Sequence, residues 1–85
     1  MDTAEDIRTA IHQFLGESVA VGLLASICDD TPIRTSGIID SVNGLRLIGF
    51  IEERFSIEVK ADEAVAENLD CIGNIIRFVQ RKQAK

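Results

Sequence analysis

Between Ser41 and Phe55 the apolar residues Gly44, Leu47, Ile48, Ile51 and Phe55 recur at i, i+3, i+4, i+7 and i+11. That spacing puts them on one face of an α-helix, which must find a core to pack against. Arg46, Glu52 and Glu53 lie away from the stripe. Val42, Leu45 and Gly49 form a second, smaller apolar edge. A helix apolar on one broad face and partly apolar on another often meets something besides its own core.

Two further stripes have the same period. Ile7, Ala10, Ile11, Phe14 and Leu15 predict a helix over Thr3 to Leu15, with Thr3 and Asp6 as a capping box and Gly16 as its stop. Ile72, Ile75, Ile76 and Val79 predict a last helix ending near Arg81. Asp70 is expected as its N-cap, and Arg77, Arg81 and Lys82 suit the negative end of its dipole. Ala61 to Glu67 reads as a short helix of low amphipathicity, after a short connection from Ser56 to Lys60.

The segment from Gly16 to Ile39 is long for a connection. Its Val19, Val21, Leu23, Leu24 and Ile27 need burial, so it is expected to pack across the helices with one short helical turn. Asp29-Asp30-Thr31-Pro32 and Ser36-Gly37 punctuate it as turns. Nothing reads as a sheet. The expected fold is an all-α bundle of three main helices, one short helix and a long first loop, forming one domain over 1–85 with 3–81 ordered.

An 85-residue domain buries only about 60% of the surface its unfolded chain exposes, which leaves little room for a deep catalytic cavity. Fourteen acids against nine bases give a net charge of −5, which argues against nucleic-acid binding. An acidic domain suits basic patches on protein partners; the charge could equally serve solubility alone. Cys28 and Cys71 have no zinc or redox spacing and sit among apolar residues, so buried free thiols in a reducing cytosol are expected. The longest apolar stretch, Val19 to Cys28, is internal and too short to span a bilayer. The expectation is a cytoplasmic monomer with no membrane or nucleic-acid partner.

Catalytic parts are scarce. His12 is the single histidine and has no acid or cysteine at ligand spacing. No nucleophile elbow, P-loop or dinucleotide fingerprint occurs. Glu52 and Glu53 are adjacent, so on a helix they point about 100° apart and read as a solvated face. Asp29 and Asp30 likewise read as solvated. No catalytic residue, no metal ligand and no enzymatic activity are expected.

That leaves Asp40-Ser41, at the mouth of the central helix. A helix start offers unpaired N–H groups and a positive dipole end, which accommodate a phosphate. Ser41 could be an N-cap or could carry a phosphoester, with Asp40 the preferred cap.

The run from Thr31 to Val42, with Gly37-Ile38-Ile39-Asp40-Ser41, and the run from Leu47 to Val59, with Glu52-Glu53-Arg54-Phe55 and Ile57-Glu58-Val59, resemble the acyl carrier protein family, which includes the peptidyl carrier domains. Glu67-Asn68-Leu69-Asp70-Cys71-Ile72 resembles that family's entry into its final helix. The resemblance extends over roughly Ile7 to Val79 and implies an acyl-carrier-like four-helix bundle. It implies that a phosphopantetheinyl transferase attaches 4′-phosphopantetheine to Ser41, with Asp40 helping to position the transferase's magnesium ion and the serine. It further implies that a loading ligase charges the arm with an acyl or aminoacyl group, which pathway synthases or transferases then take up. Tethering raises the effective concentration of such an intermediate at each partner. By the same resemblance Val42, Leu45, Arg46, Gly49, Glu52 and Glu53 become partner-contact residues.

Val42 stands where the family usually has Leu, and Asn43 and Arg46 where fatty-acid carriers usually show acids. The first change is mild; Asn43 and Arg46 argue against the primary fatty-acid carrier, and the Ile38-Ile39-Asp40-Ser41 turn resembles that of a free-standing carrier of a specialised pathway, such as polyketide, nonribosomal peptide or aminoacyl transfer. The alternative is a carrier-like helical interaction module whose serine is an unmodified cap.

Overall fold

Each of the three stripes forms a helix in the computed structural model, which describes residues 2–17, 19 and 21–84 and, at Val21, the backbone alone. Helix α1 (Ala4–Leu15) begins at the Thr3 capping box: the Asp6 N–H donates to Thr3 Oγ1 at 3.1 Å and the Thr3 N–H to Asp6 Oδ2 at 3.2 Å. The box closes two of the N–H groups a helix start leaves open. Ile7, Ala10, Ile11 and Leu15 are buried and Phe14 half-buried.

The central helix, α3 (Ser41–Phe55), has the bounds its spacing predicts. Gly44, Leu47, Ile51 and Phe55 are buried, while Ile48 lies at the edge of the core. The helix stops at Ser56, whose backbone is left-handed at φ 55° and whose N–H donates to the Glu52 carbonyl. The Phe50 ring joins α3 to α1, stacking 5.0 Å from Phe14. Helix α5 (Ile72–Gln83) runs past Arg81 and packs against α1, α3 and α4. Phe78 joins its expected stripe in the core, fully covered.

The short elements depart from expectation. The turn foreseen in the first loop is α2 (Val21–Ala25). Val19 and Ile27 are buried and Leu24 partly so, but Leu23 is 44% exposed. A five-residue helix cannot turn every apolar side chain inward. The expected burial of Val21 lies outside the described residues.

The expected single helix over Ala61 to Glu67 is two pieces, a 3₁₀ turn (Ala61–Glu63) and α4 (Ala66–Leu69). Ala64, at ψ 58°, breaks the run. The Glu63 carboxylate turns back to the Lys60 N–H at 3.1 Å and pairs with Lys82 at 2.9 Å. Leu69, the last residue of α4, is fully buried. The architecture is therefore three main helices plus short helices, rather than one short helix, with no strand among the described residues. No helix of the described residues is long and apolar enough to cross a membrane.

Two ties hold the long loop. Arg8 forks onto Asp29, Nε to Oδ1 at 2.9 Å and Nη2 to Oδ2 at 2.7 Å, and holds that carboxyl below its usual range. Asp29 is thus an anchor and not the solvated acid expected. Its carbonyl accepts the Gly73 N–H at 2.7 Å, an approach so close that a Cβ on Gly73 would stand 3.1 Å from that oxygen.

The second tie corrects the role expected of Asp70. Cys71 is the N-cap of α5, without a side-chain bond. Asp70 instead reaches back to the loop. Its carbonyl accepts the Ile33 N–H at 2.6 Å, and its Oδ1 accepts the N–H groups of Arg34 and Thr35, each at 3.0 Å. Its Oδ2 accepts the Thr35 hydroxyl at 2.8 Å. Loop N–H groups with no helix or sheet to join need such acceptors.

Candidate functional site

Residues 33–39 form a small closed loop that delivers the chain to α3. Ile33 and Ile39 plug into the core at its two ends, and the Ile39 N–H donates to the Ile33 carbonyl at 2.9 Å. Within the loop the Gly37 N–H donates to the Arg34 carbonyl at 3.1 Å. Gly37 takes φ 82°, a conformation that favours glycine. The hydroxyl of Ser36 donates to the Pro32 carbonyl. With both ends buried and the middle bonded to itself and to Asp70, the loop fixes where residue 40 begins.

Asp40 is the N-cap. Its backbone is extended and its Oδ1 accepts the Asn43 N–H at 2.8 Å, while its carbonyl accepts the Gly44 N–H at 2.8 Å. Ser41 is the first residue of the helix proper and is exposed, and its hydroxyl enters no hydrogen bond among the described residues. The acid closes the helix and the serine hydroxyl is left without a hydrogen bond among the described residues.

Ser41 and Asp40 border an open groove of about 470 Å³. Arg34, Thr35, Gly37 and Ile39 form one wall, and Ala64 and Ala66 the other. Two alanines, flanking the break between the 3₁₀ turn and α4, keep the second wall low. Arg34 supplies the groove's cation. Partial burial pushes the Asp70 carboxyl up, but the Thr35 backbone and hydroxyl, the Arg34 N–H and the Arg34 charge outweigh it and hold the group below its usual value. Asp70 therefore stays an anion and keeps the first wall in position.

Beyond Ser41, Val42 is 64% and Leu45 70% exposed. Arg46, Gly49 and Glu53 are exposed with them, and a Cβ on Gly49 would meet nothing within 4 Å. These residues make one open face running down α3 from the serine. Glu52 differs. It is half-buried and its Oε2 accepts the Val59 N–H at 2.9 Å, which ties residues 56–60 to the helix. The reading of Glu52 and Glu53 as one solvated pair holds for Glu53 alone.

His12 is half-buried on α1 and borders a different depression, with Arg8, Gln13 and Leu24, that Ser41 does not line. The structure does not bring His12 to the serine. Both cysteines are free, but Cys28 is exposed and Cys71 partly so, against the burial expected of them. No cluster of three or more metal-ligating side chains occurs among the described residues.

Arg34, Thr35, Ala64 and Ala66 were not singled out by sequence reasoning. The one local signal for Arg34 is a base seven positions before Ser41 in an acidic chain. The second wall comes from more than twenty residues downstream, where no pattern links it to the serine. Compared with known protein families, curated proteins and solved structures, the chain matches none.

Proposed function

We propose that the protein is a carrier whose Ser41 takes a 4′-phosphopantetheine arm. The observation that carries this reading is the division of labour at the start of α3: Asp40 caps the helix and Ser41, exposed, keeps an unengaged hydroxyl. A serine needed only for capping has no reason to stand one residue inside the cap.

The surroundings fit such a group. A phosphoester at the first helical position faces the positive end of the α3 dipole. The groove beside it offers about 470 Å³ and a guanidinium. On attachment Ser41 Oγ gains a bond to the arm's phosphorus, the pyrophosphate bridge of coenzyme A breaks to release adenosine 3′,5′-bisphosphate, and the serine proton leaves to solvent or a transferase base. When bound, the arm supplies a terminal thiol that carries an acyl or aminoacyl group as a thioester. Asp40, with Oδ1 committed to the cap, has Oδ2 available to a transferase's magnesium ion.

In this reading the architecture is an acyl-carrier-like four-helix bundle of α1, α3, α5 and the short α4. Partner enzymes dock on the face formed by Val42, Leu45, Arg46, Gly49 and Glu53. Arg46 and the neutral Asn43 suit partners other than those of primary fatty-acid synthesis, which favours a specialised biosynthetic pathway. The chain performs no reaction itself; it presents a tethered intermediate.

Intact mass after incubation with coenzyme A and a broad-specificity phosphopantetheinyl transferase tests the reading. The wild type gains one arm and Ser41→Ala gains none. No gain on a folded wild type, or an equal gain on Ser41→Ala, refutes it.

A further inference from the structure

Resting on the reading of Ser41 as the attachment point, we infer that Arg34 binds the phosphodiester of the arm and directs its root into the groove. A phosphodiester on Ser41 Oγ carries a negative charge beside the Asp40 carboxylate. Two like charges at neighbouring positions repel, and a cation offsets that repulsion. The helix start helps, but the Asn43 N–H is already committed to Asp40 at 2.8 Å.

Arg34 is the cation among the groove's lining residues, and none of the ion pairs among the described residues uses its guanidinium. Gly44 provides the seat. A Cβ there would stand in ordinary contact, 3.5 Å from Arg34 Nε and 4.0 Å from Cζ, which places the guanidinium against the first turn of α3. Gly44 and Ser41 are i and i+3 neighbours on that helix, a spacing at which Cβ atoms lie about 5–6 Å apart. A phosphorus one bond beyond Ser41 Oγ comes within reach of a guanidinium seated there.

The backbone of Arg34 is fixed as well. Its N–H donates to Asp70 at 3.0 Å and its carbonyl accepts from Gly37 at 3.1 Å. A planar fork with several donors suits phosphate oxygens better than an ammonium does. Held by Arg34, the arm leaves Ser41 toward Ala64 and Ala66, and Val42 and Leu45 stay open to a partner.

The test compares apo and holo protein by the Arg34 Nε–Hε resonance and by the ³¹P resonance of the arm, in the wild type, Arg34→Gln and Arg34→Lys, with loading confirmed by intact mass. The inference expects the Arg34 Nε–Hε resonance to move on loading. It expects the ³¹P resonance to differ between wild type and Arg34→Gln, with Arg34→Lys in between. A loaded wild type whose Arg34 Nε–Hε resonance is unmoved overturns the inference and leaves the carrier reading standing. This comparison needs no variant to fold. Identical ³¹P resonances in wild type and a folded Arg34→Gln overturn it equally. A wild type that gains no mass overturns the carrier reading, and the inference with it.

Discussion

Replacing Asp70 with alanine removes the acceptor of two backbone N–H groups at 3.0 Å and of the Thr35 hydroxyl at 2.8 Å. Hydrogen bonds to a charged group contribute about 1.5–3 kcal/mol each where their loss strands a donor. Thr35 is exposed, so water takes over its two bonds at small cost, while the Arg34 N–H is partly covered and bears the larger loss. The expected cost is about 2 kcal/mol. For a domain of this size that lowers Tm by roughly 8–16 °C. Amide exchange locates the effect: Arg34 and Thr35 lose protection, while Gly73 at the start of α5, bonded to the Asp29 carbonyl, keeps its own. Were Asp70 the cap of α5, the opposite amides would be exposed and Asp70→Asn would be harmless. A Tm change under about 2 °C, or lost protection at Gly73 in place of Thr35, refutes the argument.

The same carboxylate sets a pH dependence. Asp29, Glu63 and Asp70 all sit below their usual values in the folded protein. A depressed folded pKa means that unfolding takes up protons, so the contribution is complete at neutral pH. It fades as pH falls below the unfolded value of about 4 and through the folded one. The wild type loses stability on acidification through that window, and Asp70→Ala shows a shallower acid limb.

Two further outcomes follow. Leu47 is 1% exposed, so Leu47→Ala costs about 2–5 kcal/mol in urea unfolding, and an unchanged midpoint would contradict the assignment of the buried face of α3. Glu52→Ala strands the Val59 N–H and costs about 1 kcal/mol, while Glu53→Ala stays within about 0.5 kcal/mol; equal effects would contradict the separation of this pair.

The three main helices were legible because each carries its own 3.6-residue stripe, a local signal that tertiary contacts then reinforce. The cap at Thr3 and the bounds Ser41 and Phe55 were legible for the same reason. Asp70 was misread because its partners lie 35 and 36 positions away, while its sequence neighbours resemble an ordinary helix entry. Asp29 was misread likewise, since Arg8 is 21 positions upstream. The split over residues 61–69 depends on Glu63 choosing Lys60 and Lys82, one local partner and one distant. At the site, the adjacency of Asp40 and Ser41 could be read directly. The groove could not, because it exists only once residues 34–39 and 64–66 are brought together.

The central claim is that Ser41 is acted upon and does not merely begin a helix. Fragmentation mass spectrometry of the wild type after treatment with coenzyme A and a phosphopantetheinyl transferase tests it most directly. A single added phosphopantetheine located on Ser41 is expected. An unmodified Ser41 in the folded protein, or the group found on any other residue, would contradict it.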